Sequence, residues 1–219
     1  MEHAAGSIAQ LIEDLQGEDE FARAQAAFAL GMLGEPAVGP LIDLLGHAAH
    51  GVRRSAAWAL GVIGQPALDP LLSVAEDGSP TLRIEAIRVL GAIGEGRAVH
   101  QLVHALTDPE PRTAHRAATA LGKIGDPRAF HPLLTALHHP APEVRYAVCG
   151  ALGHMGIPEA VGPLEEIAQD DGSETPWGAS VAESARRAID EIRAARPHTA
   201  SAEFVRLGEV LRRHQQKLP

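Results

Sequence analysis

The sequence predicts an all-α protein, a right-handed superhelix in which about five two-helix units stack side by side. Three observations lead there. A Gly-x-x-Gly signal recurs with its first glycine at Gly31, Gly61, Gly91, Gly122 and Gly153, at intervals of 30, 30, 31 and 31 residues. A leucine keeps the same beat at Leu11, Leu41, Leu71, Leu102, Leu133 and Leu164. The 219 residues are 45% hydrophobic yet include only four Phe, two Trp and one Tyr, so the core must be built from Ala, Leu, Val and Ile. Self-similarity at a fixed period of this length marks stacked repeats, because a single helix pair cannot bury its own apolar face.

Each element can be justified in turn. Ser7 to Leu15 reads as a helix of the second type without its partner, an N-terminal cap within residues 1–17. Five repeats fill residues 18–168. Counting the first glycine of each as zero, small or apolar residues of the first helix fall at −9, −5, −2, −1 and +2. At 100° per residue they cluster within about 100° of arc, the width of a buried helical face. The glycine three residues on (Gly34, Gly64, Gly94, Gly125, Gly156) suits a helix-ending position with positive φ. Pro36, Pro66, Pro127 and Pro158 mark the turn that follows. The second helix then runs, for example, from Val38 to Leu45 or from Phe130 to Leu137. Pro40, Pro70, Pro132 and Pro163 fall in its first turn, where no backbone N–H is required. Residues 169–180 form an acidic insertion carrying Trp177. Residues 181–219 hold a degenerate repeat, with Ala188-Ile189-Asp190 where Ala-Leu-Gly would stand, and a closing amphipathic helix from about Ala202 to Lys217. The whole is expected to form one solenoid.

Composition narrows the function. Nineteen Lys and Arg against 28 Asp and Glu give a net charge of −9, which argues against a nucleic-acid binder, since holding polyphosphate requires clustered cations. Cys149 is the one cysteine and cannot form an internal disulfide, as expected in a reducing, cytoplasmic setting. No apolar run approaches the roughly twenty residues that cross a bilayer, so no membrane association is expected.

The run Val-Arg-x-x-Ala-Ala-x-Ala-Leu-Gly-x-Ile-Gly-x-Pro-x-Ala-Val-x-Pro-Leu, in near form at Val52-Arg53 through Leu71 and again at Val144-Arg145 through Leu164, resembles the HEAT-like repeats of the phycobilisome-lyase type. The resemblance covers roughly residues 7–168 and implies the fold. It implies less about activity, because the class includes bilin-attaching lyases, di-iron deoxyhypusine hydroxylases, binding scaffolds and artificial binders. It also implies that variable recognition residues sit on the first helix. The hydroxylases carry His-Glu pairs directly after the repeat arginine. The matching positions here are Ala24-Gln25, Arg54-Ser55, Ile84-Glu85, His115-Arg116 and Tyr146-Ala147, and no pair is intact. A four-pair di-iron site is therefore excluded. The basic groove of HEAT-like DNA-repair glycosylases has no counterpart in this acidic chain.

Two positions of the first helix invite a role. Arginine recurs at −8 (Arg23, Arg53, Arg83, Arg145, with Ala114 breaking the series). Repetition at one structural position favours a capping or inter-repeat role over ligand binding. Positions −7 and −3 lie one turn apart, opposite the buried face. There the chain carries Ala24/Phe28, Arg54/Trp58, Ile84/Arg88, His115/Thr119 and Tyr146/Gly150. Aromatic and arginine side chains dominate binding hot spots. Phe28, Arg54, Trp58, Arg88, His115 and Tyr146 are thus the candidate partner-binding residues.

Other motifs carry less. His100 and His104 are four apart, and His131 repeats His100 one unit later, but spacing fixes no further ligand for a metal. The Gly-x-x-Gly pairs close helices and lack the Lys-Ser/Thr of a phosphate loop. Cys149, at −4, borders the predicted core. The insertion around Trp177 either binds a partner or covers the last repeat. The expectation is a non-catalytic module that recognises another protein and holds no cofactor or metal. Two alternatives stand beside it: a lyase- or chaperone-like factor for a tetrapyrrole-bearing protein, and a metal-dependent enzyme using His100, His104 and His131.

Overall fold

The computed structural model describes residues 2–194, and the expected closing helix lies outside the described residues. Twelve α-helices make up this part: α1 (Glu2–Gln16), then the first helices α2 (Glu20–Leu33), α4 (His50–Ile63), α6 (Pro80–Ile93), α8 (Pro111–Ile124) and α10 (Pro142–Met155). Alternating with them are the second helices α3 (Val38–Leu44), α5 (Leu68–Asp77), α7 (Val99–Ala105), α9 (Phe130–Ala136) and α11 (Val161–Asp170), and α12 (Val181–Ala194) closes the order. A single 3-10 turn joins each first helix to its second, beginning at or next to Pro36, Pro66, Pro127 and Pro158 and at Gly96 in the third unit. Among the described residues there is no strand, only an isolated bridge between Glu174 and Ser180.

The periodic residues do the work their spacing implies. Leu30, Leu60, Leu90, Leu121 and Leu152 are fully buried, as are Leu41, Leu71, Leu102, Leu133 and Leu164 from the second helices. The glycines that end α2, α4, α6, α8 and α10 all have positive φ, between 64° and 78°, a conformation that a Cβ disfavours. The buried face is wider than the sequence pattern on one side: position −4 (Ala27, Ala57, Ile87, Ala118, Cys149) is buried in every repeat. Cover falls off towards the helix end: at +2, which lies within the face by angle but in the last turn, Leu33 is exposed and its four equivalents are only partly covered.

From the third repeat onward, stacking of first helix on first helix is set by the zero glycine and the residue at −2 of the next repeat. A Cβ placed on Gly91 would lie 2.6 Å from the Ala120 Cβ, and one on Gly122 would lie 2.6 Å from the Ala151 Cα. Gly153 faces Ala188 of α12 in the same way, at 2.9 Å, so the degenerate repeat keeps the small residue that the seam requires. The first two seams differ. A Cβ on Gly31 would meet the Val62 side chain at 3.1 Å, and the Ala59 carbonyl oxygen only at 3.6 Å. In the second seam the −2 residue is Val89, and a Cβ on Gly61 would meet nothing within 4 Å.

The −8 arginines are structural. Arg23 donates to the carbonyl oxygens of Gly17 (2.7 Å) and Glu18 (3.3 Å), Arg53 to those of His47 and Ala48 (both 2.7 Å), and Arg145 to those of His139 (2.7 Å) and Pro140 (2.9 Å). The carbonyls lie six and five residues upstream each time, so the side chain binds the turn that enters its own helix. Arg83 instead pairs with Asp108 of the next unit.

Candidate functional site

The exposed face of the first helices carries side chains at −7, −3 and +1, positions four residues apart that form one row along each helix. In α2 and α4 this row is apolar and open. Phe28 and Trp58 stack on each other across the two helices, with ring centroids 6.4 Å apart and planes inclined by 29°, yet remain 57% and 50% exposed. Met32 and Val62, one turn further along, are exposed as well. Sequence reasoning stopped the row at −3 and missed this pair, although the four-residue step would have reached it. A shallow cavity of about 260 Å³ lies beside Trp58, lined by Ala24, Ala27, Arg54 and Ser55. Arg54 is well exposed and reaches Glu20 only at 3.5 Å.

Further along, the row changes character. Arg88 is folded back onto Glu85, with contacts of 2.6 and 2.7 Å, so it stands beside the aromatic pair without joining it. His115 and Tyr146 are partly buried beneath the insertion. Trp177 meets both edge to face, at 5.7 Å from the His115 ring and 6.0 Å from the Tyr146 ring. The Arg187 guanidinium lies over the Tyr146 ring, 5.8 Å from its centroid, and donates to its hydroxyl at 3.2 Å. The six candidate residues therefore divide into an open group (Phe28, Arg54, Trp58), a self-paired Arg88, and a covered pair (His115, Tyr146).

The insertion is held onto this face by the last −8 arginine. Arg145 donates from Nε to Asp171 Oδ2 (2.6 Å) and from Nη2 to Ser173 Oγ (2.6 Å) while its Nη1 keeps the turn carbonyls. The tip is a tight turn: Gly178, with φ +81°, donates to the Thr175 carbonyl, and the buried Thr175 hydroxyl accepts from the Ala179 amide. The loop thus lays its tryptophan on the row of the fourth and fifth repeats, and Trp177 stays 57% exposed there. Spacing alone could not have shown this, because the contacts link residues 31 or more positions apart in sequence.

Between the two groups the face is hollowed. A cavity of about 650 Å³ runs from His50 and Arg53 of α4 past Ile84 and Glu85 to Arg112 and Arg116 of α8, with Pro176 and Trp177 at its edge. His115 borders it. Burial pushes the His115 pKa below the ordinary 6.5, against the opposing effect of its Nδ1–H donating to the Glu143 carbonyl oxygen at 2.9 Å. Burial also raises the Cys149 thiol to about 12, which leaves it protonated and unreactive. His100, His104 and His131 are exposed on the second helices, and among the described residues no three His, Cys, Asp or Glu side chains are grouped to hold a metal ion. No helix among the described residues is long and apolar enough to cross a membrane.

A helical-repeat solenoid with an open, partly aromatic ladder defines the class of this protein. The HEAT-repeat family pattern matches residues 8–77, 68–139 and 99–178, and the chain belongs to that family. Among solved structures it is similar to a chain of the complex of CpcE and CpcF of phycocyanin lyase from Nostoc sp., with a TM-score of 0.61 and 24% identity over 73% of this chain and 99% of that one. It is also similar to a designed armadillo repeat protein in complex with the peptide (KR)4, with a TM-score of 0.52 and 20% identity over 84% of this chain and 99% of that one. At these identities both show the fold alone. No protein of curated function matches the chain.

Proposed function

We propose that the chain is a non-catalytic recognition module whose first-helix face docks another protein through the open group Phe28, Arg54 and Trp58, with Arg88 beside it and Trp177 presented over His115 and Tyr146. The observation that carries this is the Phe28–Trp58 stack, two large rings packed on each other, half exposed and flanked by exposed Met32 and Val62. Contiguous apolar surface of this kind costs solubility unless something covers it, and helices that fix the rings beforehand reduce the ordering cost of binding. That a repeat protein of related architecture is known in complex with the peptide (KR)4 supports a peptide segment as the form of the ligand.

Capture of interacting proteins from native extract, run in parallel with the Trp58→Ala/Arg88→Ala variant, tests the proposal. A partner retained by the wild type and lost by the variant at unchanged helicity supports it, and equal retention by both removes this face from consideration. A second reading, a factor acting on a tetrapyrrole-bearing protein, draws on the likeness to the CpcE and CpcF structure. A preparation carrying bilin absorbance would favour that reading, and a spectrally silent one would weaken it.

A further inference from the structure

Charge is sorted between the two kinds of helix. The first helices α2, α4, α6, α8 and α10 contain nine Lys and Arg against three Glu. The second helices α3, α5, α7, α9 and α11 contain seven Asp and Glu and no Lys or Arg at all. The first helices of a chain of net charge −9 are therefore net positive. Four of the nine cations are the −8 arginines already engaged with turns or neighbouring carboxylates. Arg54 and Arg88 face Glu20 and Glu85. The remaining three, Arg112, Arg116 and Lys123, all belong to α8, which has no acidic residue, and they have no ion-pair partner among the described residues. At 3.6 residues per turn these three fall within about 40° of arc, one exposed stripe along the helix. Arg112 and Arg116 also line the 650 Å³ hollow.

We infer that this stripe is an anion-binding subsite of the same docking face, and that the partner is an acidic protein segment with a bulky apolar residue. The inference rests on the proposed docking at Phe28 and Trp58 and adds the chemistry of the ligand. The apolar residue seats on the Phe28–Trp58 stack and the carboxylates meet Arg112, Arg116 and Lys123. Two interhelical steps of about 8–10 Å separate α4 from α8, a span of about six residues in an extended chain. A polypeptide suits the hollow better than a nucleic acid does. Glu85, Glu110 and Glu143 line it beside the arginines; they would repel a continuous row of phosphates, whereas a peptide can set its separate carboxylates at the arginines and its amide N–H groups at the glutamates.

A random dodecapeptide library displayed on phage, panned on the full chain, provides the probes. Enriched peptides are then titrated by fluorescence anisotropy against wild type, Trp58→Ala and the triple variant Arg112→Ala/Arg116→Ala/Lys123→Ala, with (dT)12 as a nucleic-acid control. The three truncated side chains are exposed, so circular dichroism should be unchanged. The expected result is enrichment of Asp and Glu about six positions from a Trp, Phe or Leu, loss of binding with Trp58→Ala, and about tenfold weaker binding by the triple variant, an effect that high salt removes. Peptides that depend on Trp58 but show no acidic enrichment, or ignore the triple variant, overturn the charge assignment and leave the docking face standing. A library yielding no Trp58-dependent peptide overturns both. Binding of (dT)12 as tight as that of the best peptide, or a low-salt dimer of the chain abolished by the triple variant, assigns the stripe to nucleic acid or to a second copy and overturns it.

Discussion

Gly91 on α6 lies so close to Ala120 on α8 that a Cβ on the glycine would stand 2.6 Å from the alanine methyl carbon. The equivalent Gly61 faces no atom within 4 Å. The glycine repeat that announces the fold therefore has two physical meanings, close approach of helices at one seam and unused space at another.

Opposite responses to the same substitution follow. Gly91→Ala forces backbone apart and should destabilise the chain by about 1–3 kcal/mol. Gly61→Ala fills empty space within a helix and should stabilise it by up to about 1 kcal/mol. Urea unfolding followed by circular dichroism compares the two, and equal destabilisation would contradict the seam geometry.

Arg145 joins a turn, a carboxylate and a hydroxyl with one guanidinium, and Arg145 and Asp171 are 15% and 11% exposed. Truncation in Arg145→Ala strands Asp171 and should cost about 3 kcal/mol, with new proteolytic cleavage between residues 171 and 180. Burial would raise the Asp171 pKa, but hydrogen bonds from Arg145 and Ser173 outweigh it and hold the carboxyl at about 2. Because the folded value lies below the unfolded one, this stabilisation is present above pH 3.8 and is lost as pH falls through 2. The acid limb of the unfolding curve should therefore flatten in Asp171→Asn.

His115 titrates with the same sign at higher pH. Its folded pKa lies below 6.5, so the unfolded chain binds the proton first and stability declines as pH drops below that value. Thermal unfolding between pH 7.5 and 5.0 should show a loss that His115→Asn reduces. An unchanged slope in the variant would show that the imidazole is not desolvated under Trp177.

Cys149 reports opening of the fifth repeat. Fully buried, with its thiol raised to about 12, it should resist a disulfide reagent at pH 8 in the native state and react at once in urea. Immediate reaction of the native chain would place Cys149 outside the core.

Much of this architecture was legible because repeats write the same constraint many times. The positions of Gly31, Gly34 and Leu41 and their successors marked period, helix ends and core, and Phe130 was correctly read as a second-helix start. What single repeats do once was harder to read. The recurrence of Arg23, Arg53, Arg83 and Arg145 was legible as a capping or inter-repeat role. That three of the four bind backbone carbonyls five and six residues upstream was not, because no side-chain pattern reveals it. The row of Phe28, Trp58, His115 and Tyr146 was legible as a face. Its division into open and covered parts was not, because that depends on where residues 171–180 fold, a matter of one hydrogen-bonded clip at Arg145.

Hydroxyl-radical footprinting of the chain alone and with a captured partner tests docking on the first-helix face most directly. In the free chain Phe28, Met32 and Trp58 should oxidise readily. In the complex all three should be protected, while residues exposed only on the second helices, such as His100 and His131, keep their free-chain rates. Protection of the second-helix histidines with Phe28, Met32 and Trp58 still fully reactive would place the partner on the opposite side of the solenoid and contradict the account.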